Sequence, residues 1–392
     1  MAEPAAVGPA VDPDDEALPP ALEQPPAGAD WPIPTPWLLG AKLFGALRDI
    51  AISKLFDFNP QDWMSGDAPI DLTQLADGEA CWIDYLSDTG DSPQLVYRLA
   101  RLLQQPALTL PGLAAPLPQG AVLVLGGDTA YPIATRRQLL ERMRAPFLWA
   151  RRSLRAAGAL SPRRPVLLGV AGNHDYYNAL AGYERFFHAR PGGPGAPVDR
   201  VAPAGYERRQ RASYFAALLP FGWQLWGLDI EVRDVDALQA AYFARARAAA
   251  TGPVKRIIAS SRPAMVNGAL SPVIDELEHR LAQVDVRGGF STSGAIAPDE
   301  LRLDLAGDYH LYERYWGADA AVPAPTAAEV DTAAAVAADP TRAAQPFPPT
   351  DRPEVATGGG AAAAPARYAQ VVSGLGGAFH HPLDFRPLPP PA

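Results

Sequence analysis

The feature that most limits how this chain can fold is a repeated texture: a short, mostly apolar run, then a polar turn. It recurs at 79–91 (EACWIDYLSDTGD), 120–132 (GAVLVLGGDTAYP), 164–178 (RPVLLGVAGNHDYYN), 222–231 (GWQLWGLDIE), 254–264 (VKRIIASSRPA) and 301–315 (LRLDLAGDYHLYERY). Runs this short read as strands, and their near-continuous apolar character suits strands buried on both faces. Helical stretches at 134–157, 234–250 and 273–284 fall between several of them. Strand–turn–helix alternation predicts an α/β domain, and open α/β sheets place ligands at the carboxyl ends of their strands. Polar residues gather at those ends here.

Composition then narrows the choice of functions. With 392 residues, 48% hydrophobic and 20% charged, the chain can bury one large core or two small ones without staples. Its single cysteine, Cys81, excludes an intrachain disulfide framework and a thiolate metal cluster. A net charge of −9 argues against binding nucleic acid by general phosphate attraction. No apolar run approaches the roughly 18–20 residues that span a bilayer. The start, MAEPAAVGPAVDPDDEALPP, lacks the basic and apolar regions of a secretory signal, so a cytoplasmic location is expected. Lysine occurs only at 42, 54 and 255, and with the alanine surplus this composition points to a GC-rich bacterial genome.

Residues 1–35 are rich in Pro, Ala and Asp and lack periodicity, which predicts a disordered tail. Residues 36–76 read as a helical lead-in. Within it, 36–56 places Leu39, Leu43, Leu47, Ile50 and Leu55 toward one side of a helix. That helix is expected to pack on the domain. Lys42, Arg48 and Lys54 support the sharper alternative of peripheral membrane contact. Residues 77–318 make up the α/β domain, with a loop at 190–206. An Ala/Pro/Gly-rich stretch at 319–366 reads as a flexible insertion, 367–386 as a closing strand and turn, and 387–392 as a tail. There are no internal repeats.

Four strand ends carry polar blocks in order: Asp88-Thr89-Gly90, Gly127-Asp128-Thr129-Ala130-Tyr131, Gly172-Asn173-His174-Asp175 and Gly307-Asp308-Tyr309-His310. Each alone is a common turn. Their succession over residues 79–316 resembles the calcineurin-like metallophosphoesterases, closest to the purple acid phosphatase-like branch, whose blocks read D-x-G, G-D-x-x-Y, G-N-H-D/E, V-x-x-H and G-H-x-H. The first three blocks are intact here.

The resemblance implies a sandwich of two β-sheets flanked by helices. It implies hydrolysis of a small-molecule phosphate ester by a metal-activated water, with two metal ions about 3.5–4 Å apart. Asp128 would bridge the ions. Asp88, Asp128, Tyr131 and His310 would bind one, and a Tyr131 phenolate would favour ferric iron. Many relatives carry a histidine where Gly90 stands, so Gly90 and Tyr131 form one consistent alternative. Asn173 would bind the second ion through its amide oxygen. His174 and Asp175 fall on the catalytic side, with His174 stabilising the transition state or protonating the leaving oxygen.

Two blocks depart from that pattern. Where V-x-x-H is expected, the chain reads Ile257-Ile258-Ala259-Ser260-Ser261-Arg262-Pro263, with no histidine, and Asp308 replaces the first histidine of G-H-x-H. Both losses fall on the second ion and leave it Asp128, Asn173 and Asp308. Such oxygen donors suit manganese or magnesium better than zinc. The expectation is therefore one or two metal ions, iron and/or manganese ahead of zinc. Among the remaining histidines, His279 reads as solvated and His188 as structural, while His380 and His381 are either replacement ligands or a surface turn. Arg262 is either a phosphate ligand or a surface residue. Two other functions stay open. One is a metallophosphoesterase fold with a degraded second site that serves as a binding or regulatory module. The other is an interaction protein that recruits partners through the 36–56 helix and the Pro-rich tails.

Overall fold

The computed structural model describes residues 18–27, 30–32, 68–110, 113, 115–189, 201–231, 237–250, 252, 254–263, 265–266, 269–270, 301–308, 312–316 and 369–373. The fold is a mixed α/β sandwich whose two larger sheets are flanked by helices, with two two-stranded ribbons beside them among the described residues.

In the first sheet Ile83–Leu86, Val122–Leu125, Val166–Gly169 and Glu207–Arg208 lie side by side in that order, all parallel. The second sheet runs Ile70–Asp71, Phe215–Leu218, Trp223–Gly227, Lys255–Ser260, Leu301–Ala306, Ala369–Ser373 and Tyr312–Trp316. Its central strands are parallel, and antiparallel pairs stand at Phe215–Leu218 with Trp223–Gly227 and at Ala369–Ser373 with Tyr312–Trp316.

Strand periodicity explains why the runs are apolar throughout. Val122, Val124, Val166 and Leu168 face between the sheets, against Phe215, Leu225, Ile257 and Leu305. The alternate residues Leu123, Leu125 and Leu167 face outward, against Val96, Ala100, Met143 and Phe147 on the helices. Both faces of Val122–Leu125 and Val166–Gly169 are therefore buried.

Helix Pro93–Leu103 is not among the expected helices. Ser92 caps it by accepting from Leu95 N at 3.4 Å, and Pro93 occupies the first turn, where no N–H is needed. Thr135 likewise caps Arg136–Leu139, which passes through a π turn at Leu140–Arg144 into Ala145–Ala156. On the second sheet, helix Ala237–Ala248 packs Phe243 on Trp226 with ring centroids 4.7 Å apart, and the buried Arg256 guanidinium stacks on the same indole at 3.8 Å.

Part of the expected N-terminal tail is packed. Leu18 is buried beside Leu22 and Trp31, against Leu148 and Trp149. Trp149 Nε1 donates to Leu22 O at 2.8 Å, and Arg152 pairs with Glu23 at 2.8 Å. Two leucines and a tryptophan supply apolar contact that the average composition of the stretch conceals. Residues 36–56, 273–284, 319–366 and 387–392 lie outside the described residues, as do His279, His310, His380 and His381. Among the described residues no helix is long and apolar enough to cross a membrane.

Candidate functional site

The carboxyl ends of Ile83–Leu86, Val122–Leu125 and Val166–Gly169 bring the first three polar blocks together. The Asp88-Thr89-Gly90 turn docks on the Gly127–Tyr131 turn through main-chain bonds: Asp88 N to Gly127 O at 3.2 Å and Thr89 N to Asp128 O at 3.0 Å. Thr89 Oγ1 adds a bond to Thr129 O at 2.9 Å. A glycine is required at Gly90: φ is +73°, and a Cβ there would lie 2.6 Å from Thr129 O. The buried Arg142 guanidinium, carried by the π turn, donates to the carbonyls of Gly90 and Asp91 and pairs with the Asp91 carboxylate at 3.8 Å.

Three aspartates at strand ends adopt the left-handed backbone region: Asp88 (φ +54°), Asp128 (φ +50°) and Asp308 (φ +70°). Such conformations cost energy for residues with a Cβ and cluster at functional sites, where the surroundings over-determine them.

Asp88 and Asp128 share a donor. The fully buried Tyr131 hydroxyl donates to Asp88 Oδ1 at 3.2 Å and to Asp128 Oδ2 at 3.1 Å. Ser87 Oγ donates to Asp88 Oδ2 at 2.7 Å, and His174 N donates to Asp128 Oδ1 at 3.0 Å. Burial pushes the Asp128 carboxyl well above the usual range. The charges of Asp88, Asp175 and Glu231 reinforce that rise, and the His174 amide opposes it. Burial and the two carboxylates likewise hold the Tyr131 phenol well above its ordinary value. Tyr131 is therefore a neutral phenol in this arrangement, and a multivalent cation between the carboxylates would reverse the local field.

His174 is part-buried. Its ring packs against Tyr131 and Tyr177, with centroids at 4.4 and 4.9 Å. Nδ1 lies 2.7 Å from Pro132 O. A carbonyl only accepts, so Nδ1 carries the hydrogen and Nε2 is the nitrogen whose protonation can change. Asn173 Nδ2 donates to Tyr177 Oη at 2.9 Å, which identifies the donor end of its amide.

Asp175 lies beneath the Gly172–Asp175 turn. It is fully buried, and its carboxylate accepts from Gly172 N at 3.0 Å and from Thr129 N at 3.3 and 3.4 Å. Burial raises it to about 6 against those hydrogen bonds. Asp175, expected on the catalytic side, here ties the second and third blocks to each other.

Asp308 reaches the site from the second sheet through its main chain. Its N–H donates to both oxygens of Asp88, at 3.3 and 3.1 Å, while the residue itself is exposed at the rim. Glu231, absent from the sequence expectations, stands close by. Burial pushes it up to about 7, opposed by Ser261 and Arg262 and reinforced by Asp308 and Asp229. Ser261 Oγ donates to Glu231 Oε1 at 2.5 Å, and Arg262 Nε lies 3.9 Å from it. A Cβ on Gly127 would approach the Ser261 Cβ at 3.3 Å, so this group abuts the Asp128 turn. Its signal was present in Gly227-Leu228-Asp229-Ile230-Glu231, acids after glycine at the end of an apolar run.

The donor set fits a hard cation: two carboxylates, a phenol and an amide oxygen, with mutually repelling buried acids. Among the described residues no three His, Cys, Asp or Glu side chains form a metal-holding group. The third atom beside Asp88 and Asp128 is a phenol oxygen instead.

Neither a protein family nor a curated protein matches the sequence. Among solved structures the chain is similar to one described as "Structure of PhoD", with a TM-score of 0.30 and 12% identity over 64% of this chain and 54% of that chain. The match thus spans about half the length of that structure. A likeness this slight bears on neither the site nor the reaction.

Proposed function

We propose that this chain is a metal-dependent phosphoric ester hydrolase acting on a small-molecule phosphate ester. The observation that carries the reading is the Tyr131 hydroxyl shared between Asp88 and Asp128, from the ends of two adjacent strands. Asp88, Asp128 and Tyr131 would hold one ion, with His310 as the sequence-expected fourth ligand. Asn173 and Asp308 would serve a second, weaker position. The oxygen donors of Asp88, Asp128, Tyr131, Asn173 and Asp308 favour iron or manganese over zinc. Such ions neutralise phosphate oxygens and acidify water.

The chain's own residues do the remainder. Asp175 and Arg142 hold the blocks in register. His174, oriented by its Nδ1–H on Pro132 O, gives a proton from Nε2 to the leaving oxygen or stabilises the charge that develops there.

The test is metal content per chain, on protein purified without chelators, together with turnover of an aryl phosphate. Asp128→Ala is expected to lose metal and activity together. His174→Ala is expected to keep its metal and lose about 10²–10⁴-fold in turnover. Full metal content in Asp128→Ala would sink the assignment.

A second reading, a metal-holding binding or regulatory module, is favoured by the second-ion side. Ser260 and Ser261 stand where nitrogen donors are expected, and Asp308 is exposed. Bound metal without any ester turnover would support it.

A further inference from the structure

In a chain with an acidic surplus, a local cluster of cations stands out. Arg208, Arg209 and Arg211 fall within four consecutive positions around Gln210. Gln210 is fully buried. Its Oε1 accepts from Gly169 N at 3.0 Å, and its Nε2 donates to Gly169 O at 2.9 Å and Ala212 O at 2.7 Å. That anchor fixes the segment against the strand Val166–Gly169, and the arginines on either side line a cavity.

The cavity has a volume of about 500 Å³ and lies where the strands Ile70–Asp71 and Phe215–Leu218 join. Arg208, Arg209 and Arg211 line it together with Asp71, Phe215 and Tyr242. It shares no residue with Asp88, Asp128, Tyr131, Asn173 or His174. Three arginines thus line a space whose described walls include one carboxylate, that of Asp71.

Several of the polar groups have defined partners. Arg208 donates to Arg185 O at 2.8 Å. Arg209 makes a two-point pair with Glu207, at 2.9 and 3.2 Å, and both side chains are partly exposed. A surface pair of this kind has small net worth, so a better-placed anion competes with it. Asp71, on the other wall, accepts from Thr73 N and Oγ1 at 3.0 and 2.7 Å. Tyr242 Oη accepts from Ala216 N at 2.9 Å and holds the aromatic floor in place.

We propose that this cavity is a second, separate site that binds a small organic anion. A phosphate or carboxylate group would lie on the arginines, and hydroxyl or amine donors would point toward Asp71. Guanidinium forks match both oxyanions, and the volume is that of a small-molecule site.

The test is calorimetric titration of the full chain with inorganic phosphate and, separately, with citrate. Four proteins are compared: wild type, Arg211→Gln, the double variant Arg209→Gln/Arg211→Gln, and Asp128→Ala. Arg211 is exposed, so its replacement leaves the fold intact, which circular dichroism verifies. One anion-binding step is expected to weaken about fivefold or more in Arg211→Gln and to vanish in the double variant. The same step is expected to persist in Asp128→Ala, which removes only binding at the metal centre. The tighter of the two probes identifies the oxyanion. Three results would overturn the proposal: no binding of either probe at millimolar concentration, binding that survives the double replacement, or binding that disappears in Asp128→Ala.

Discussion

Tyr176 donates a 2.6 Å hydrogen bond to Asp229 and so ties the end of the Gly172–Asp175 turn in the first sheet to a strand end in the second. Both residues are buried. Asp229 continues the connection: its N–H donates to Gln239 Oε1 at 2.9 Å, and Gln239 Nε2 donates back to Asp229 O at 2.8 Å. The turn that carries Asn173 and His174 is thereby braced against helix Ala237–Ala248. Tyr176→Phe removes a donor from a buried carboxylate and should cost about 1–3 kcal/mol. Urea unfolding reads this as a lower midpoint at unchanged slope, and an unaltered midpoint would show that the brace contributes nothing.

Tyr131 offers an optical test. If iron binds between Asp88 and Asp128, the cation converts the phenol to a phenolate. The ferric protein should then absorb visible light through phenolate-to-iron charge transfer. Tyr131→Phe should abolish that band while retaining part of the metal. A colourless protein, shown by electron paramagnetic resonance to contain ferric iron, would exclude Tyr131 as a ligand.

The second-ion side predicts a metal preference. Ser260, Ser261 and Asp308 supply no nitrogen, and nitrogen is what favours zinc. After dialysis against chelator, added manganese should restore turnover better than zinc. Asp308→His should shift that preference toward zinc. Tight retention of two zinc ions by the wild type, with no change in Asp308→His, would mean that the second site is built from other residues, with His380 and His381 the first to test.

Asp304 predicts how stability depends on pH. It is fully buried, and among the described residues neither carboxylate oxygen finds a hydrogen-bond partner. Burial raises it from 3.8 to about 8. The folded state therefore holds this proton more tightly than the unfolded state does. Its contribution is fully present below about pH 4, is lost as pH rises toward about 8, and is constant beyond. Asp304→Asn should flatten the slope over that window and leave the variant more stable than wild type on its alkaline side. Asp175 and Glu231, raised to about 6 and about 7, preserve a residual slope. Urea midpoints at several pH values decide the matter. An identical slope in both proteins would show that Asp304 is not buried as a lone acid.

Much of the framework could be read from the chain because its strands are doubly buried. Val122–Leu125 and Val166–Gly169 stand out as unbroken apolar runs, and their polar ends point to the site. The helix Pro93–Leu103 escaped because its buried residues are only Pro93, Val96 and Ala100, with arginines between and after them, while its cap follows directly on a turn that reads as a metal block. The Asp88–Tyr131–Asp128 contact could be anticipated only as a set of neighbours. That Tyr131 donates to both acids follows from tertiary placement. The structural roles of Asp175 and Arg142 were hidden for the same reason: sequence gives a residue's type and its block, but not which main-chain groups it meets across the sheet. Glu231 was missed because its strand was read for apolarity alone.

The packing of Leu18, Leu22 and Trp31 on Trp149 has a practical consequence for anyone trimming this protein. Low-complexity leaders are commonly cut away to aid crystallisation or expression. Removing residues 18–32 here would strip one wall from Trp149 and leave Leu148, Tyr97 and the Trp149 indole facing water on the back of the helix that carries them. That newly bared aromatic strip would invite self-association. A shortened version that precipitates would therefore report on the boundary chosen rather than on the soundness of the α/β sandwich behind it.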